Sequence, residues 1–436
     1  MTRGFFFANM KLFELFYETS EVCIDTRSIV KNCLFVALKG SNFDGNDFAN
    51  EALLAGAKYC ISDRSTICNQ VNIFYVDNTL EYLQNLALYH RKKFNIPVLG
   101  ITGSNGKTST KELVNCILSK QYNVLCTAGN FNNHIGVPLT LLKLNASHEL
   151  AIIEMGANKH GDIAELCAIA EPTLGVITNI GKAHLEGFND FQGVLKTKKE
   201  LYTSISQKKD GVIFYNSDDQ LLIENLPNSI ETISYGTSQF SDLCGELLAL
   251  NPRVKLRYKD GEYYSPEIQT QLIGKYNFYN FLCAISIGVY FKISHENIRT
   301  AIEQYISKNN RSQVEITANN TIIIDCYNAN PSSMHSALES FLMIEADNKI
   351  AIIGDMLELG ADTKEEHDKI IKYCKSNEIS YLVVGEYFSK SEVNPKIRFA
   401  STNELLDYFN ITPLKNNLIL LKGSRGIALE KLLPSL

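Results

Sequence analysis

The residues with the clearest chemistry form a glycine-rich loop, Gly100-Ile101-Thr102-Gly103-Ser104-Asn105-Gly106-Lys107-Thr108. The loop follows an apolar strand pattern and precedes a helical pattern. Glycines let backbone N–H groups face phosphate oxygens, a lysine can reach the β- and γ-phosphates, and a threonine hydroxyl can ligate Mg²⁺. The strict GxxxxGK[ST] spacing fails because Ile101 stands at its first glycine position. We therefore predict ATP binding by a variant loop, through Gly103, Ser104, Asn105, Gly106, Lys107, Thr108 and Ser109.

A carboxylate and an imidazole follow two further strand patterns. The apolar run from Leu150 to Ile153 ends at Glu154, and the run from Leu174 to Thr178 leads to His184. The carboxyl ends of parallel strands meet at one edge of a sheet, where α/β enzymes hold Mg²⁺. Glu154 is therefore a predicted magnesium ligand. An isolated histidine is more often structural, so the residues alone leave His184 open between the two roles.

A run of lysines lies on the helix predicted after His184. Lys196, Lys198 and Lys199 precede Glu200. Such a run is usually a solvated helix face, and the residue pattern by itself favours that interpretation. The residues up to this point indicate a P-loop enzyme with Mg²⁺ and leave several enzyme classes open.

The bulk composition excludes several classes of function. With 42 Lys+Arg against 48 Asp+Glu, the net charge of -6 provides no basic field for nucleic acid. No apolar run approaches the roughly 18 residues of a membrane span, so we expect no stable membrane insertion. The 11 cysteines show no CxxC pair, which indicates reduced thiols in the cytoplasm. No pattern sets the oligomeric state, and the expectation is a monomer.

Strand and helix patterns divide the 436 residues into three α/β domains. We predict a small α/β domain over 1–94, a central P-loop parallel-sheet domain over 95–308 with a β-rich edge at 232–271, and a C-terminal Rossmann-like doubly wound domain over 309–436. In the last domain, capping-box spacings at Thr363/Glu366 and Ser401/Glu404 predict helix starts. Strand patterns there cover Thr321–Ile324, Ile350–Ile353, Tyr381–Val384 and Leu418–Leu421.

Several longer segments carry a resemblance to a known family. They are Asp25 to Ser28, Phe35 to Gly40, Asp44 to Phe48, Asn130 to Thr140, Glu154 to Asn158, Gly274 to Asn280 and Asp325 to Pro331. Over nearly the whole chain the sequence resembles the Mur ligase family, and the segments from Asn130 and Glu154 are similar to its branch that adds D-alanyl-D-alanine. The glycine-rich loop matches the family's own variant, GxTGSxGKT.

The resemblance implies an ATP-dependent ligase of peptidoglycan precursor synthesis, with UDP-N-acetylmuramoyl-tripeptide and D-Ala-D-Ala as substrates. It implies catalytic roles for Lys107, Glu154, His184 and Lys198, and two Mg²⁺ ions held by Thr108, Glu154, His184 and Lys198. Lys198 would be carbamylated by CO₂, which overturns the solvated-face interpretation for that lysine. ATP would also contact Asn277, Asn280, Arg311 and Asp325. The other substrates would contact Thr26, Arg27, Ser28, Lys39, Gly40, Asn132, Asn133, Asn328 and Asn330.

The implied chemistry is activation of a carboxylate as an acyl phosphate, followed by capture with an amine. Acyl phosphates hydrolyse in water, so we expect the C-terminal domain to close over the site. The sequence departs from the family pattern at Asn46 and Tyr276, where histidine is usual, and at Ile324, which is frequently aspartate.

Three competing interpretations are open from the sequence. The first is a sibling ligase that adds another amino acid, or a folylpolyglutamate synthase. The second is a P-loop kinase or nucleotide-driven switch, and the third is an inactive binding protein. The segments around Asn132 and Asn328 argue against the first, and the first-domain segments argue against the second. The third is disfavoured because Lys107, Glu154 and Lys198 are all present. The third residue of the tripeptide is not indicated.

Overall fold

The structure is a computed structural model that describes residues 3–183, 185–188, 190–250, 252–391 and 393–436. These residues fall into two compact units. The first comprises Met1–Gly100, Asn123–Gly156 and Ala164–Thr173, and the second comprises Ile101–Tyr122, Ala157–Ile163 and Leu174–Leu436. In the described part of the chain, no helix is both long and apolar enough to cross a membrane.

The helices, in chain order, are α1 (Arg3–Tyr17), α2 (Ala49–Leu54), α3 (Thr79–Arg91), α4 (Lys107–Leu118), α5 (Gly136–Leu141), α6 (Asp162–Ala170), α7 (Leu185–Phe188), α8 (Phe191–Ser206), α9 (Gln220–Ile223), α10 (Lys275–Tyr290), α11 (His295–Gln304), α12 (Pro331–Leu342), α13 (Thr363–Ser376), α14 (Glu386–Ser389) and α15 (Thr402–Ile411).

The strands, in chain order, are β1 (Val22–Cys23), β2 (Leu34–Val36), β3 (Tyr59–Ser62), β4 (Ile73–Tyr75), β5 (Val98–Thr102), β6 (Val124–Cys126), β7 (Leu150–Glu154), β8 (Leu174–Ile177), β9 (Val212–Asn216), β10 (Glu231–Gly236), β11 (Leu243–Ala249), β12 (Arg253–Asp260), β13 (Tyr263–Tyr264), β14 (Ile268–Ile273), β15 (Gln313–Ile316), β16 (Thr321–Ile324), β17 (Lys349–Gly354), β18 (Tyr381–Val384), β19 (Arg398–Phe399) and β20 (Leu418–Lys422).

The first unit contains a parallel four-stranded sheet in the order β1-β2-β3-β4. Its core includes the buried side chains of Phe35, Ala52 and Cys60. Helix α3 begins where the Asn78 side chain accepts a hydrogen bond from the Glu81 N–H, which satisfies one of the free donors of the first turn. Strands β6 and β7 pair in parallel in the same unit, with Val124 opposite Leu150.

In the second unit, a parallel sheet changes to an antiparallel edge. Strands β8, β9, β10 and β11 pair in parallel, whereas β12 pairs antiparallel with β11, β13 and β14. The predicted β-rich edge at 232–271 is therefore confirmed. Buried side chains of α8, such as Leu201 and Ile205, occupy the helix face opposite to its exposed residues, as expected of an amphipathic helix on a sheet.

The C-terminal part of the second unit is a six-stranded sheet in the order β15-β16-β20-β17-β18-β19. Five of its strands run parallel, and only β15 is antiparallel to its neighbour among the described residues. The predicted strands coincide with β16, β17, β18 and β20. The mixed α/β fold class is confirmed, with three sheet regions over the described residues. The boundaries at 94/95 and 308/309 stay a prediction.

Only one of the two helix starts predicted from capping-box spacings has the expected N-cap hydrogen bond in the described chain. The Ser401 side chain accepts a hydrogen bond from Glu404 N–H and starts α15 as expected. At α13 the prediction was wrong, because the Thr363 hydroxyl donates to the Gly360 carbonyl instead of capping the helix. The Glu366 carboxylate pairs with lysines rather than with the helix N-terminus.

Candidate active site

The glycine-rich loop joins β5 to α4, as the sequence predicts, and two of its glycines are needed for steric reasons. Gly103 has φ +144° and Gly106 has φ +79°, conformations that residues with a Cβ rarely adopt. A Cβ at Gly103 would collide with Thr178 Oγ1, and one at Gly106 would lie 2.7 Å from Asn280 Oδ1. Both glycines therefore allow close packing of the loop against neighbouring side chains.

The segment after β8 holds this loop in place. Thr178 Oγ1 donates to the Asn105 carbonyl at 2.5 Å, and the Asn179 side chain bonds both the N–H and the carbonyl of Asn105. Ser104 Oγ donates to the Gly181 carbonyl at 3.0 Å and accepts from the Gly181 N–H at 2.9 Å. These bonds fix the backbone of the loop, which lowers the entropy cost of phosphate binding.

Two predicted phosphate and metal contacts lie at the start of α4. The Lys107 ammonium donates to the carbonyls of Gly103 and Ser104 at 2.7 and 3.1 Å, so its charge is held over the loop. Thr108 is buried at the first turn of the helix, and Ser109 is partly exposed beside it. Because the helix N-terminus carries a partial positive charge, an anion at the loop is favoured by both the dipole and the lysine.

The two asparagines predicted to contact ATP belong to one hydrogen-bond chain on α10. Asn280 Oδ1 accepts from Thr110 Oγ1 of α4 at 3.2 Å, and Asn280 Nδ2 donates to Asn277 Oδ1 at 2.9 Å. Asn277 Nδ2 donates in turn to Ser312 Oγ at 3.0 Å. Both asparagines are nearly buried. The chain connects the loop helix to the segment that leads into the C-terminal sheet.

Arg311 and Asp325 flank the first two strands of the C-terminal sheet. Arg311 precedes β15, and Asp325 directly follows β16. Asp325 Oδ1 accepts from the Ser312 N–H at 3.2 Å, and Asp325 Oδ2 pairs with Lys422 Nζ at 2.9 Å. The Arg311 guanidinium lies 3.7 Å from the centroid of the Tyr327 ring. The buried Arg311 Nε has no hydrogen-bond partner among the described residues. An arginine in this setting is available to an anionic ligand.

The predicted substrate residues Asn328 and Asn330 differ in their contacts. Asn330 caps α12 by accepting from the Ser333 N–H at 2.8 Å, and its Nδ2 donates to Asn105 Oδ1 of the loop at 2.8 Å. Asn328 Oδ1 accepts from the Ala329 N–H, and the Asn328 carbonyl accepts from Lys422 Nζ. Asn330 is therefore joined to the nucleotide loop directly.

The environment of Lys198 differs from the solvated helix face that the residue pattern favoured. Its side chain on α8 is buried, not solvated, with Nζ 5.9 Å from the centroid of the Phe188 ring. Burial, with the nearby Lys107 charge, lowers the pKa of the Lys198 ammonium well below its ordinary value, against the opposing effects of Asp162 and Glu200. The neutral amine is therefore favoured over the ammonium more than in an exposed lysine.

The other predicted metal ligands can be placed only in part. In the first unit, Glu154 is buried at the end of β7 and accepts from Asn132 Nδ2 at 2.7 Å. His184 lies outside the described residues. No three His, Cys, Asp or Glu side chains of the described chain group as a metal site. The predicted set has a different composition, since it includes a threonine hydroxyl, His184 and a carbamate.

The remaining predicted substrate residues lie in the first unit. Thr26, Arg27 and Ser28 form a short turn in which Arg27 is exposed and pairs with Asp25 at 2.6 Å, which lowers the pKa of Asp25 to about 2. Lys39 pairs with Asp63 at 2.9 Å, next to Gly40. Asn133 Oδ1 accepts from the N–H groups of Ile135 and Gly136, which places it at the start of α5.

Comparison with known proteins identifies the family of this site. The description "Mur ligase family, catalytic domain" matches residues 18–100, "Mur ligase middle domain" matches 101–288, and "Mur ligase, glutamate ligase domain" matches 310–425. The chain belongs to the Mur ligase family.

Relatives of this Mur ligase carry a specific name. The chain is 33% identical to the UDP-N-acetylmuramoyl-tripeptide–D-alanyl-D-alanine ligase of Bacillus subtilis, over 95% of this chain and 92% of that one. It is 30% identical to the ligase of the same name from Escherichia coli, over 95% and 93%. Among solved structures it is similar to MurF from Acinetobacter baumannii, with a TM-score of 0.87 and 27% identity over 97% of each chain. The MurF ligase from Thermotoga maritima in complex with ADP gives a TM-score of 0.84 and 26% identity, over 96% and 97%.

The three residues of this Mur ligase that depart from the family pattern are Asn46, Tyr276 and Ile324, and the structure defines the surroundings of each. Asn46 donates to Asp44 and Asp63 through Nδ2 and accepts from Ser62 Oγ, so the buried amide fulfils its hydrogen-bonding capacity within the first unit. The Tyr276 hydroxyl lies 2.8 Å from Ser312 Oγ. The side chain of Ile324 is buried in the C-terminal core, which explains why an apolar residue is accepted there.

Sequence reasoning missed several residues that support the site. Thr178 and Asn179 brace the loop, Ser312 joins α10 to Asp325, and Lys422 neutralises Asp325. Two polar residues where the apolar strand pattern ends were the one available signal for Thr178 and Asn179. Ser312 had no local signal, because its partners are 13, 35 and 36 residues away in sequence.

Proposed function

We propose that this Mur ligase joins D-alanyl-D-alanine to UDP-N-acetylmuramoyl-tripeptide, with conversion of ATP to ADP and phosphate through an acyl phosphate. The observation that carries the proposal is the similarity, over 95% of the chain, to ligases of that name from several bacteria. The braced phosphate loop with Lys107, and the ADP complex of the Thermotoga maritima ligase, support ATP as the activating substrate.

The first step overcomes the inertness of a carboxylate toward amines. The terminal carboxylate of the tripeptide attacks the γ-phosphate of ATP, and ADP leaves. Lys107 exchanges its bonds with the loop carbonyls of Gly103 and Ser104 for phosphate oxygens, and so stabilises the charge of the transferring group. The backbone N–H groups at the start of α4 face the same phosphates.

In the second step the free amine of the dipeptide attacks the acyl carbon, and the tetrahedral intermediate expels phosphate to leave an amide. Water must be excluded while the acyl phosphate exists. The hydrogen bond from Asn330 to Asn105 and the ion pair between Lys182 and Glu366 tie the C-terminal sheet's segments to the loop region within the second unit. These contacts support a closed arrangement during the reaction.

Two Mg²⁺ ions fit the chemistry of the predicted ligands, a hydroxyl, a carboxylate, an imidazole and a carbamate, on Thr108, Glu154, His184 and Lys198. The buried carboxylate of Glu154 supports this assignment. When bound, Mg²⁺ supplies positive charge that offsets the charge on the phosphates. The Asn132 amide donates to the Glu154 side chain and orients it at the end of β7.

Carbamylation of Lys198 is a further part of the proposal. A protonated ammonium cannot ligate a cation, but a neutral amine adds to CO₂ to give a carbamate anion and a released proton. The lowered pKa of Lys198 supports this, since burial favours the neutral amine over the ammonium. The test is CO₂-depleted buffer followed by bicarbonate labelled with a heavy carbon isotope. Label bound at Lys198 by NMR, together with restored activity, supports the carbamate, and full activity without CO₂ contradicts it.

The location of the enzyme follows from its substrates and thiols. ATP and UDP-linked precursors are cytoplasmic compounds, and all 11 cysteines are free thiols in the described residues. We infer a cytoplasmic enzyme on these grounds.

The decisive experiment measures phosphate release with ATP and Mg²⁺ while the tripeptide nucleotide and D-Ala-D-Ala are each omitted in turn. Mass spectrometry of the product completes it. Release that requires both substrates, with a product that has gained the dipeptide, is the expected result. Incorporation of a different amino acid would favour a sibling ligase, and ATP turnover without any amide would favour a nucleotide-driven switch.

A further inference from the structure

Arg425 is an exposed arginine without a polar partner in the described chain. It follows β20, and its side chain makes no hydrogen bond or ion pair with other described residues. Several other arginines of the described chain pair with carboxylates. Arg64 bonds Asp44 and Asp47, and Arg257 bonds Glu246. The guanidinium of Arg425 therefore has all of its donors available to a ligand at this strand end.

A second unpaired arginine lies beside it. The Arg425 guanidinium is 5.4 Å from the centroid of the Tyr327 ring, and the Arg311 guanidinium is 3.7 Å from the same centroid. Both contacts are within the range of cation–π attraction. Two positive groups that share one ring repel each other, and an anion near the ring would relieve that repulsion.

The backbone around Arg425 is held rigidly. Buried Ser424 donates its N–H to the Asp355 carbonyl at 3.0 Å and accepts from the Leu357 N–H at 2.9 Å through Oγ. Ser424 Oγ also donates to the Ala329 carbonyl at 3.3 Å. These bonds join the carboxyl ends of β16, β17 and β20, which is the edge where open α/β sheets bind ligands. The backbone that carries Arg425 is therefore fixed in position.

This edge is also connected to the nucleotide loop. Tyr327 is three residues before Asn330, which bonds Asn105 of the loop. A dipeptide spans at most about 7 Å from amine to carboxylate, at roughly 3.3–3.6 Å per residue. Binding at this edge requires that a dipeptide with its amine near the loop extends its carboxylate toward Tyr327.

We propose that Arg425 binds the C-terminal carboxylate of the acceptor dipeptide, with Tyr327 as the surface on which its guanidinium stacks. The inference rests on the proposed function and adds a specificity-determining residue to it. A planar guanidinium matches a carboxylate with two parallel hydrogen bonds. The reacting carboxylate of the tripeptide must instead be at the γ-phosphate, and Arg311 remains available to the nucleotide.

The test compares D-Ala-D-Ala with its C-terminal amide, which lacks the charge, in wild type, Arg425→Gln and Arg425→Lys. We expect wild type to prefer the free acid by about 10- to 100-fold in kcat/KM, the range of a charge-assisted hydrogen bond. Arg425→Gln should lose that preference through a raised KM for the acid, with a much smaller rise in the KM for the amide. Arg425→Lys should retain part of the preference, because lysine keeps the positive charge but lacks the planar guanidinium that forms two parallel hydrogen bonds.

The matched control is Lys415→Gln, an exposed cation at the opposite end of β20, which should keep the full preference. Thermal unfolding checks that Arg425→Gln folds as wild type. Three results would each overturn the proposal: equal use of acid and amide by wild type, equal losses on both substrates in Arg425→Gln, or a raised KM for ATP or the tripeptide nucleotide. Failure of wild type to incorporate either dipeptide would overturn the proposed function along with it.

Discussion

The side-chain amide of Asn330 donates a hydrogen bond of 2.8 Å to Oδ1 of Asn105 while its own oxygen caps α12. One residue thus performs a local task and a long-range task with different atoms. The oxygen starts a helix of the C-terminal sheet region, and the nitrogen reaches the phosphate loop. This division of labour allows the two tasks to be separated by substitution.

Asn330→Asp should keep the helix cap and lose the bond to Asn105. Aspartate caps helices as well as asparagine does, so stability should change by less than about 0.5 kcal/mol. Loss of the hydrogen bond from residue 330 to Asn105 should destabilise the arrangement needed for catalysis by about 0.5–1.5 kcal/mol. That corresponds to a loss of roughly 2- to 12-fold in kcat/KM for ATP. Asn330→Ala is the matched variant and should also lose about 1 kcal/mol of stability. Wild-type kinetics in Asn330→Asp would show that the Asn105 contact has no role.

The ion pair between Lys182 and Glu366 supports the same arrangement through charge. Glu366 is nearly buried, and both Lys182 and Lys369 hold its pKa below the ordinary value despite burial. We expect a coupling of about 0.5–1 kcal/mol in kcat/KM from a double-mutant cycle of Lys182→Met and Glu366→Gln.

The exposed pair of Lys390 and Glu386 is the control for this cycle. A surface pair within one helix is typically worth about 0.3–0.5 kcal/mol in stability and should show no coupling in catalysis. X-ray scattering of free and ATP-bound enzyme would complete the test. Equal coupling in both pairs, or scattering that does not change with ATP, would count against closure during the reaction.

The C-terminal sheet shows why much of the fold was predictable. Strands β16, β17, β18 and β20 are buried on both faces, so each is a continuous apolar run in the sequence. Strands β15 and β19 were missed, since β15 is a half-exposed edge strand and β19 has two residues. Edge strands carry weak periodicity because neither face is fully buried.

The site was predictable where one short segment contains all of the residue types that phosphate binding needs. The phosphate loop is such a segment, with its glycines, lysine and threonine in nine residues. Lys198 is the opposite case, because whether a helical lysine is buried depends on what α8 packs against. The residue pattern favoured a solvated face, and only the family resemblance singled out Lys198, as a carbamylated lysine. The contact between Arg425 and Tyr327 likewise joins residues 98 positions apart.

Buried His90 in the first unit should make stability dependent on pH. Its Nε2–H donates to the Leu144 carbonyl at 2.9 Å and its Nδ1 accepts from the Tyr17 hydroxyl at 3.0 Å. Burial, together with nearby Lys93, lowers the pKa of His90 in the folded protein. The unfolded state, with a pKa of about 6.5, therefore binds more protons, so this stability is present above pH 6.5 and is lost as the pH falls toward the folded-state pKa.

His90→Gln should be less stable than wild type at pH 8 and should lose less stability between pH 7 and pH 5. Thermal unfolding across that range measures both quantities. His148→Gln, at a partly exposed histidine of the same unit, is the control and should follow the wild-type curve. The same pH slope in His90→Gln and wild type would contradict the assignment to His90.

Tyr276, where the family usually has histidine, hydrogen-bonds Ser312, a residue with a strained backbone. Ser312 has φ +49°, and its backbone N–H donates to Asp325 while its Oγ contacts Tyr276 and Asn277. These bonds hold Ser312 in a conformation that costs about 1–3 kcal/mol for a residue other than glycine. The adjacent Arg311 is positioned by the same segment.

Tyr276→Phe removes one bond from Ser312 and leaves the ring in place. We expect a rise of about 2- to 12-fold in KM for ATP, the range of one hydrogen bond, and little change in the KM for D-Ala-D-Ala. Tyr276→His introduces the residue usual in the family and should restore ATP binding only if the imidazole reaches Ser312 Oγ. Ser312→Gly separates the two effects, because glycine adopts a positive φ without strain but lacks the hydroxyl. If Tyr276→Phe on its own raises both KM values equally, Tyr276 stabilises the fold generally rather than the ATP site.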